Sequence, residues 1–378
     1  MNRLDRAVEL VRQQVADGRQ RGAQLYISLK GDTLLDVGIG TTPTGAPLTP
    51  HHLLPWLGCT RLLGTVAVLQ LWERGRLELD DPVNRYVPNW DGTKQTCTIR
   101  HLLTHLGGFP SVETSEGDET DPRLLLDRIA LAEADAPPGT RAVYHRSAAW
   151  RVLAAVVGGI DGRAFPRYLR EEIWDRVGME ATYLGLDDAD RDRLEEWMVP
   201  LERVGPTRDG WRGRAGVPPI QVGAHGARAA LHRVDPDLGA RGPAHDLGRL
   251  LETIMGGGGA ILRERGTVPA MIAAHRVGLR DAAFGGARLP WGLGVMVAGG
   301  FAGTVGHRAF GHDGLPGGRA LCDPDEGLVL VFLPSGVSGP DDDAERLASV
   351  TDAVYDAVAP RPSAPWLTNA PEDVALRG

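Results

Sequence analysis

The period of hydrophobic and polar positions changes along the chain, and the changes predict its elements. Leu4, Val8, Leu10, Val11 and Val15 recur among charged residues at helical spacing, which predicts an amphipathic helix at the start. Gln24-Leu25-Tyr26-Ile27-Ser28-Leu29 and Thr33-Leu34-Leu35-Asp36-Val37 then read as strands joined at Lys30-Gly31-Asp32, a β-hairpin. Helical periodicity dominates 53–283, at 61–76, 99–105, 122–132, 148–158, 166–176 and 244–255, with breaks such as Ala136-Pro137-Pro138-Gly139 and Met255-Gly256-Gly257-Gly258-Gly259. Strand patterns return at 292–297, 309–312, 319–323 and 328–333, followed by a helix at 342–358. The Arg-, Gly- and Pro-rich segment 202–243 yields no element, and the chain after Pro360 reads as irregular surface.

This order predicts an α/β (α+β) fold: one antiparallel sheet built from both chain ends, flanked by terminal helices, with a mostly helical region inserted. Residues 1–52 and 284–378 are expected to form the sheet domain and 53–283 the inserted one, with a cleft between them.

Composition narrows the setting. The 378 residues are 42% hydrophobic, enough for a sizeable core without staples. Cys59, Cys97 and Cys322 are odd in number and scattered, with no C-x-x-C pair and no ladder of zinc-ligand spacing, so neither a disulfide framework nor a metal site is expected. The N-terminal segment lacks the apolar run of a signal peptide and no later run is long enough to span a bilayer, which makes the cytoplasm the expected location. A net charge of -8, with Arg interspersed among acids, excludes a nucleic-acid footprint and leaves a small molecule as the expected partner. No cofactor is indicated, since the Gly-rich stretches near 256–259 and 285–286 lack the Lys-Ser/Thr setting of a phosphate loop.

Four stretches carry candidate chemistry, in this chain order: LLPWLGCTRLLGTVAVLQLWERGRLELDDPVNRYVP from Leu53 to Pro88; Thr98-Ile99-Arg100-His101-Leu102-Leu103-Thr104-His105-Leu106-Gly107-Gly108-Phe109-Pro110; Pro137-Pro138-Gly139-Thr140-Arg141-Ala142-Val143-Tyr144-His145-Arg146; and Phe310-Gly311-His312-Asp313-Gly314-Leu315-Pro316-Gly317. A fifth, Ala244-His245-Asp246-Leu247-Gly248-Arg249-Leu250-Leu251, falls between the last two. Together they resemble the serine β-lactamase and penicillin-binding-protein superfamily, in its class C-like and esterase branch, over roughly residues 20 to 335. The resemblance implies a β-lactamase-like fold and a cleft whose helix opens with Ser-x-x-Lys, the serine attacking a carbonyl and the lysine helping to deprotonate it. Here the register gives Gly58 for the serine and Arg61 for the lysine. It also makes Tyr144 the family's catalytic tyrosine, puts Arg146 where the family has Asn, fits His312 and Gly314 to the third motif, and implies an oxyanion hole from the backbone N–H groups of Gly58 and Leu315.

The departures redefine the chemistry. Gly58 offers no nucleophilic oxygen, and an arginine at 61 stays protonated and cannot act as base. Backbone donors survive side-chain loss, so the site is expected to polarise a carbonyl or hold a carboxylate, with Arg61, Arg146 and Asp313 binding substrate or Asp313 neutralising Arg61. Tyr144 and His312 are the expected acid–base pair. Cys59 is the alternative nucleophile, although one residue along a helix turns its side chain by ~100° from the serine's direction. His101 and His105 read as structural, without the H-E-x-x-H context of a metal pair, and the acidic run 113–121 reads as a solvated loop.

Three functions follow. The first is non-covalent proton transfer, elimination, cyclisation or isomerisation of a small carbonyl- or carboxylate-bearing metabolite; the Arg-, Ala- and Gly-rich composition suits specialised metabolism in a high-GC bacterium. The second is hydrolysis or acyl transfer on a small ester, amide or lactam. The third is a catalytically inactive binding protein.

Overall fold

Strand pairing starts from the hairpin that the sequence pattern predicts. In the computed structural model, which describes residues 4–90, 92–108, 122–145, 147–203, 231–314 and 317–358, β1 (Gly22–Leu29) and β2 (Asp32–Gly40) turn at Lys30-Gly31. Both turn residues have positive φ, 54° and 89°, as a two-residue hairpin of matching twist requires. β3 (Met296–Val297), β4 (Phe310–Gly314), β5 (Gly318–Asp323) and β6 (Leu328–Pro334) complete an antiparallel sheet of order β2-β1-β6-β5-β4-β3 among the described residues. The first and last parts of the chain meet directly in it, with Tyr26 opposite Val331.

The principal helices are α1 (Asp5–Ala16), α2 (Arg61–Glu73), α3 (Ala148–Asp161), α4 (Ala244–Met255) and α5 (Pro340–Val358). Alternation along β1 and β6 sends Leu25, Ile27, Leu328, Leu330 and Phe332 to one face, where Leu4, Ala7 and Val11 from α1 and Leu347, Val350 and Val354 from α5 cover them. The opposite face, with Tyr26, Val329, Val331 and Leu333, joins a larger core centred on α2. That helix is buried from Arg61 to Leu71, the signature of a helix surrounded on all sides. α4 belongs to the segment expected as an insert, yet it lies on the sheet: a Cβ on Gly248 would stand 2.4 Å from Cε1 of Tyr26, whose hydroxyl donates to Glu252 one turn on (2.6 Å).

Two elements depart from the pattern. The strand expected at 292–297 is reduced to Met296–Val297, because Gly292 to Gly294 form a turn. Gly294 has φ 72°, and a Cβ on Gly292 would be 2.3 Å from the Met271 carbonyl, so the residues that broke the strand are there for close backbone approach. The helix expected at 166–176 runs as α (Phe165–Leu169), π (Arg170–Trp174) and α (Asp175–Val177), and Gln70 of α2 donates to the Glu172 carbonyl inside the π turn (3.0 Å).

No helix among the described residues is long and apolar enough to cross a membrane. Arg146, Leu315, the run 113–121 and the tail after Pro360 lie outside the described residues, as do residues 204–230 of the unassigned segment.

Gly248→Val is expected to lower stability by about 2–4 kcal/mol, because both γ carbons must displace the Tyr26 ring and its bond to Glu252. Denaturant unfolding measures it, and a loss under about 0.5 kcal/mol would mean the helix–sheet contact is looser than described.

Candidate active site

The turn before α2 and strand β4 meet edge to edge. Leu57–Thr60 form a 3₁₀ turn, and Leu57 holds φ 49°, a left-handed conformation that a leucine adopts only under constraint from its surroundings. Gly58 follows, the residue that the motif register sets against the family's serine. A Cβ built there would stand 2.9 Å from the Asp313 carbonyl oxygen, 3.3 Å from Gly314 Cα and 3.4 Å from Arg61 Nη1. A serine Cβ there would be too close to the backbone of β4 unless one of the two moved. Gly314 faces the turn in the same way, its absent Cβ 2.8 Å from the Trp56 carbonyl oxygen.

Cys59 is fully buried and donates to the His312 carbonyl (3.3 Å), so it ties the turn to β4. Burial and then the Asp313 charge push its thiol well up from the ordinary cysteine range. Its burial and its bond to β4 favour a structural thiol over an alternative nucleophile at Cys59. Thr60 is equally buried, and its Oγ1 accepts the Ala240 N–H (3.1 Å).

Arg61 fills the centre of the site. Its side chain is 3% exposed and its Nε donates to Asp237, itself 1% exposed. Nη1 donates to Nε2 of His312 (3.3 Å), and the guanidinium lies over the Tyr144 ring, 4.9 Å from its centroid. Asp313 does not neutralise it, contrary to one of the expectations above. Both Asp313 oxygens bind Arg319 instead, at 2.7 and 2.8 Å, and Arg319 reaches Thr351 of α5 (2.7 Å), so Asp313 anchors β4 rather than facing a substrate.

His312 is fully buried with both ring nitrogens in use, Nδ1–H donating to the Asp313 carbonyl (2.7 Å) and Nε2 accepting from Arg61. Burial, then the Arg61 charge, pushes its pKa well below the usual imidazole value, so it stays neutral at pH 7. Tyr144 is half-buried among His105 (4.5 Å between ring centroids), Phe284 (5.1 Å) and Trp291 (5.5 Å). His105, strained at φ 56°, accepts the His145 N–H through Nδ1 (3.2 Å) and so shapes the segment after Tyr144. His101 serves a capping box with Thr98.

The structure thus brings Gly58, Cys59, Arg61, Tyr144 and His312 together and turns Asp313 away from Arg61. Sequence reasoning missed Asp237, which lies in the segment that yields no element. The available signal was chemical: an arginine at a buried helix start demands a counter-charge, and Asp235-Pro236-Asp237 supplies carboxylates there, Asp235 pairing with Arg151 (3.3 Å). Burial, opposed by Arg61, raises Asp237 to about 6, and its Oδ2 is buried without a hydrogen-bond partner.

A six-stranded antiparallel sheet under terminal helices, with a buried helix opening onto the cleft strand, defines the β-lactamase class of fold. The β-lactamase family profile matches residues 7–355, and the chain belongs to that family. Esterase EstB of Burkholderia gladioli is 30% identical over 387 residues, covering 91% of this chain and 93% of EstB. The putative penicillin-binding protein PbpX of Bacillus subtilis is 31% identical over 119 residues, a match that spans 32% of this chain and 29% of PbpX. Among solved structures, a penicillin-binding protein homolog from Caulobacter crescentus superposes with TM-score 0.79 at 23% identity, covering 94% of this chain and 98% of that one, and shares the fold.

The raised Asp237 carboxyl has a sign that can be checked. An unfolded aspartate titrates near ~3.9. With a folded value of about 6, Asp237 contributes stability that is complete below the unfolded value and is lost as pH rises through the folded one. The stability of the wild type minus that of Asp237→Asn is therefore expected to fall as pH is raised across this window in denaturant titrations; a difference that grows with pH contradicts the assignment.

Proposed function

We propose that this family member does not run an acyl-enzyme cycle and that its cleft holds a small carbonyl- or carboxylate-bearing metabolite without hydrolysing it. One observation carries the reading: position 58 has no side chain, and a Cβ built on it would stand 2.9 Å from the Asp313 carbonyl oxygen. The groups around it point the same way. Cys59 and Thr60 are buried and hydrogen-bonded within the protein, and Arg61 cannot serve as base. Among the described residues, what remains at the cleft is a half-buried phenol, Tyr144, beside a guanidinium paired with Asp237. A ligand carboxylate would gain Arg61 only in competition with Asp237, which favours modest affinity.

Acid–base turnover by proton transfer, elimination, cyclisation or isomerisation is the second reading, and it rests on Tyr144. His312 supports it less, because proton exchange at either ring nitrogen requires breaking a bond to Arg61 or to Asp313. The likeness to EstB over 91% of the chain favours hydrolysis or acyl transfer, a reaction that would need a nucleophile from outside position 58, Cys59 or an activated water.

The purified protein is expected to hydrolyse a p-nitrophenyl ester and a chromogenic cephalosporin no faster than buffer, and Gly58→Ser with Arg61→Lys to leave both rates within about tenfold of that background. In a thermal-shift panel of small carboxylates, a binder at 100-fold its Kd should stabilise by about 2.7 kcal/mol, with tighter binding to Asp237→Asn than to wild type. Ester turnover lost in Cys59→Ala, or a panel in which no carboxylate binds Asp237→Asn more tightly than wild type, would overturn the reading.

A further inference from the structure

Tyr144 sits in a segment without regular secondary structure, so something other than a helix or strand must fix it. Its backbone N–H donates to Oδ1 of Asp281 (3.1 Å), and the neighbouring Ala142 carbonyl accepts the Ala282 N–H (3.3 Å). The same Oδ1 accepts the Ala283 N–H (3.0 Å), capping the 3₁₀ turn Ala282–Phe284 that brings the Phe284 ring against Tyr144. Oδ2 binds Arg276 Nη1 (2.9 Å), in an ion pair whose two side chains are both 0% exposed. Arg276 in turn lies over the Trp291 ring at 5.3 Å and donates to the Leu289 carbonyl, and Trp291 is a second wall against Tyr144. One carboxylate therefore governs the main chain of the tyrosine directly, one of its aromatic walls through a cap, and the other through a guanidinium.

We infer that Asp281 is the positioning residue for Tyr144, setting its backbone and the aromatic box around its ring. The inference rests on the reading above that Tyr144 is the cleft's remaining ligand-facing group. A buried charged pair is a demanding way to hold one turn, because both ions lose hydration; an apolar pair would pack as well, but it would leave the Tyr144 and Ala283 N–H groups unsatisfied. The arrangement makes sense where the orientation of one ring matters more than the stability of one loop. Neither residue touches Gly58, Asp237 or His312 directly, although Trp291, which Arg276 backs, also packs on His105 (4.7 Å) and His312 (5.8 Å).

The test compares two double variants that both remove the buried charges: Arg276→Met with Asp281→Asn, which keeps an acceptor for the Tyr144 N–H, and Arg276→Met with Asp281→Leu, which does not. Proteins labelled with fluorotyrosine give one ¹⁹F resonance for each of six tyrosines, and that of Tyr144 is assigned by its loss in Tyr144→Phe. The expected result is a Tyr144 resonance near its wild-type position in the Asn pair and shifted or broadened in the Leu pair, with Tyr168 and Tyr355 unmoved in both. A Tyr144 resonance that is the same in both pairs, or that moves only together with the distant tyrosines, overturns the inference. Should the Leu pair not fold, amide exchange of wild-type Tyr144 decides: protection beyond that of exposed turns supports the bond to Asp281, and exchange as fast as theirs overturns it. No ligand or turnover enters this measurement, so its failure is separate from any failure of the functional reading.

Discussion

The close approach of β4 to the turn before α2 is the constraint on which the rest of the site depends. Two glycines, Gly58 and Gly314, allow backbone to meet backbone there, and a side chain on either would collide with a carbonyl of the other element. The Cys59 thiol fastens the seam from the helix side, and the Asp313–Arg319 pair fastens it from the sheet side. With the seam closed, a side chain at position 58 would crowd the Asp313 carbonyl. The side chain at 61 is then enclosed with His312 and Tyr144, and a permanent cation in that enclosure requires the carboxylate that Asp237 provides.

Among the described residues, three buried ion pairs surround the cleft, each on a different element of it: Arg61–Asp237 at the helix start, Asp313–Arg319 on β4, and Arg276–Asp281 behind Tyr144. Buried pairs add little net stability, since desolvation offsets most of their attraction, but removal of one member leaves a costly orphan. They are therefore better understood as devices that fix geometry. The family scaffold is retained around a helix start that carries Gly58 and Arg61, and fold and function are separable. The strained φ at Leu57 fits the same view, since the fold keeps the sharp turn although no serine is presented by it.

Much of this was legible in the sequence because local rules and tertiary needs agreed. The Lys30-Gly31 turn, the alternation in β1 and β6, and the helices beginning at Arg61, Ala148 and Ala244 follow from period and punctuation. The 292–297 stretch did not, because its glycines answer to the Met271 carbonyl rather than to strand propensity. At the site, the motif register located Gly58, Arg61, Tyr144 and His312, but pairing is a property of space. Asp313 is next to His312 in sequence and close to Arg61 by motif logic, yet Arg319 across the β4–β5 hairpin takes it, and Arg61 finds its partner 176 positions away. Asp281 was equally silent, since nothing in a single sequence ties it to a tyrosine 137 residues earlier.

The central claim is that the cleft cannot form an acyl- or phosphonyl-enzyme. Intact-mass analysis of the native protein after prolonged exposure to a fluorophosphonate and, separately, to a reactive β-lactam tests it most directly. The account predicts an unchanged mass with both reagents. A stoichiometric adduct that maps to Cys59, Thr60 or Tyr144 would contradict it.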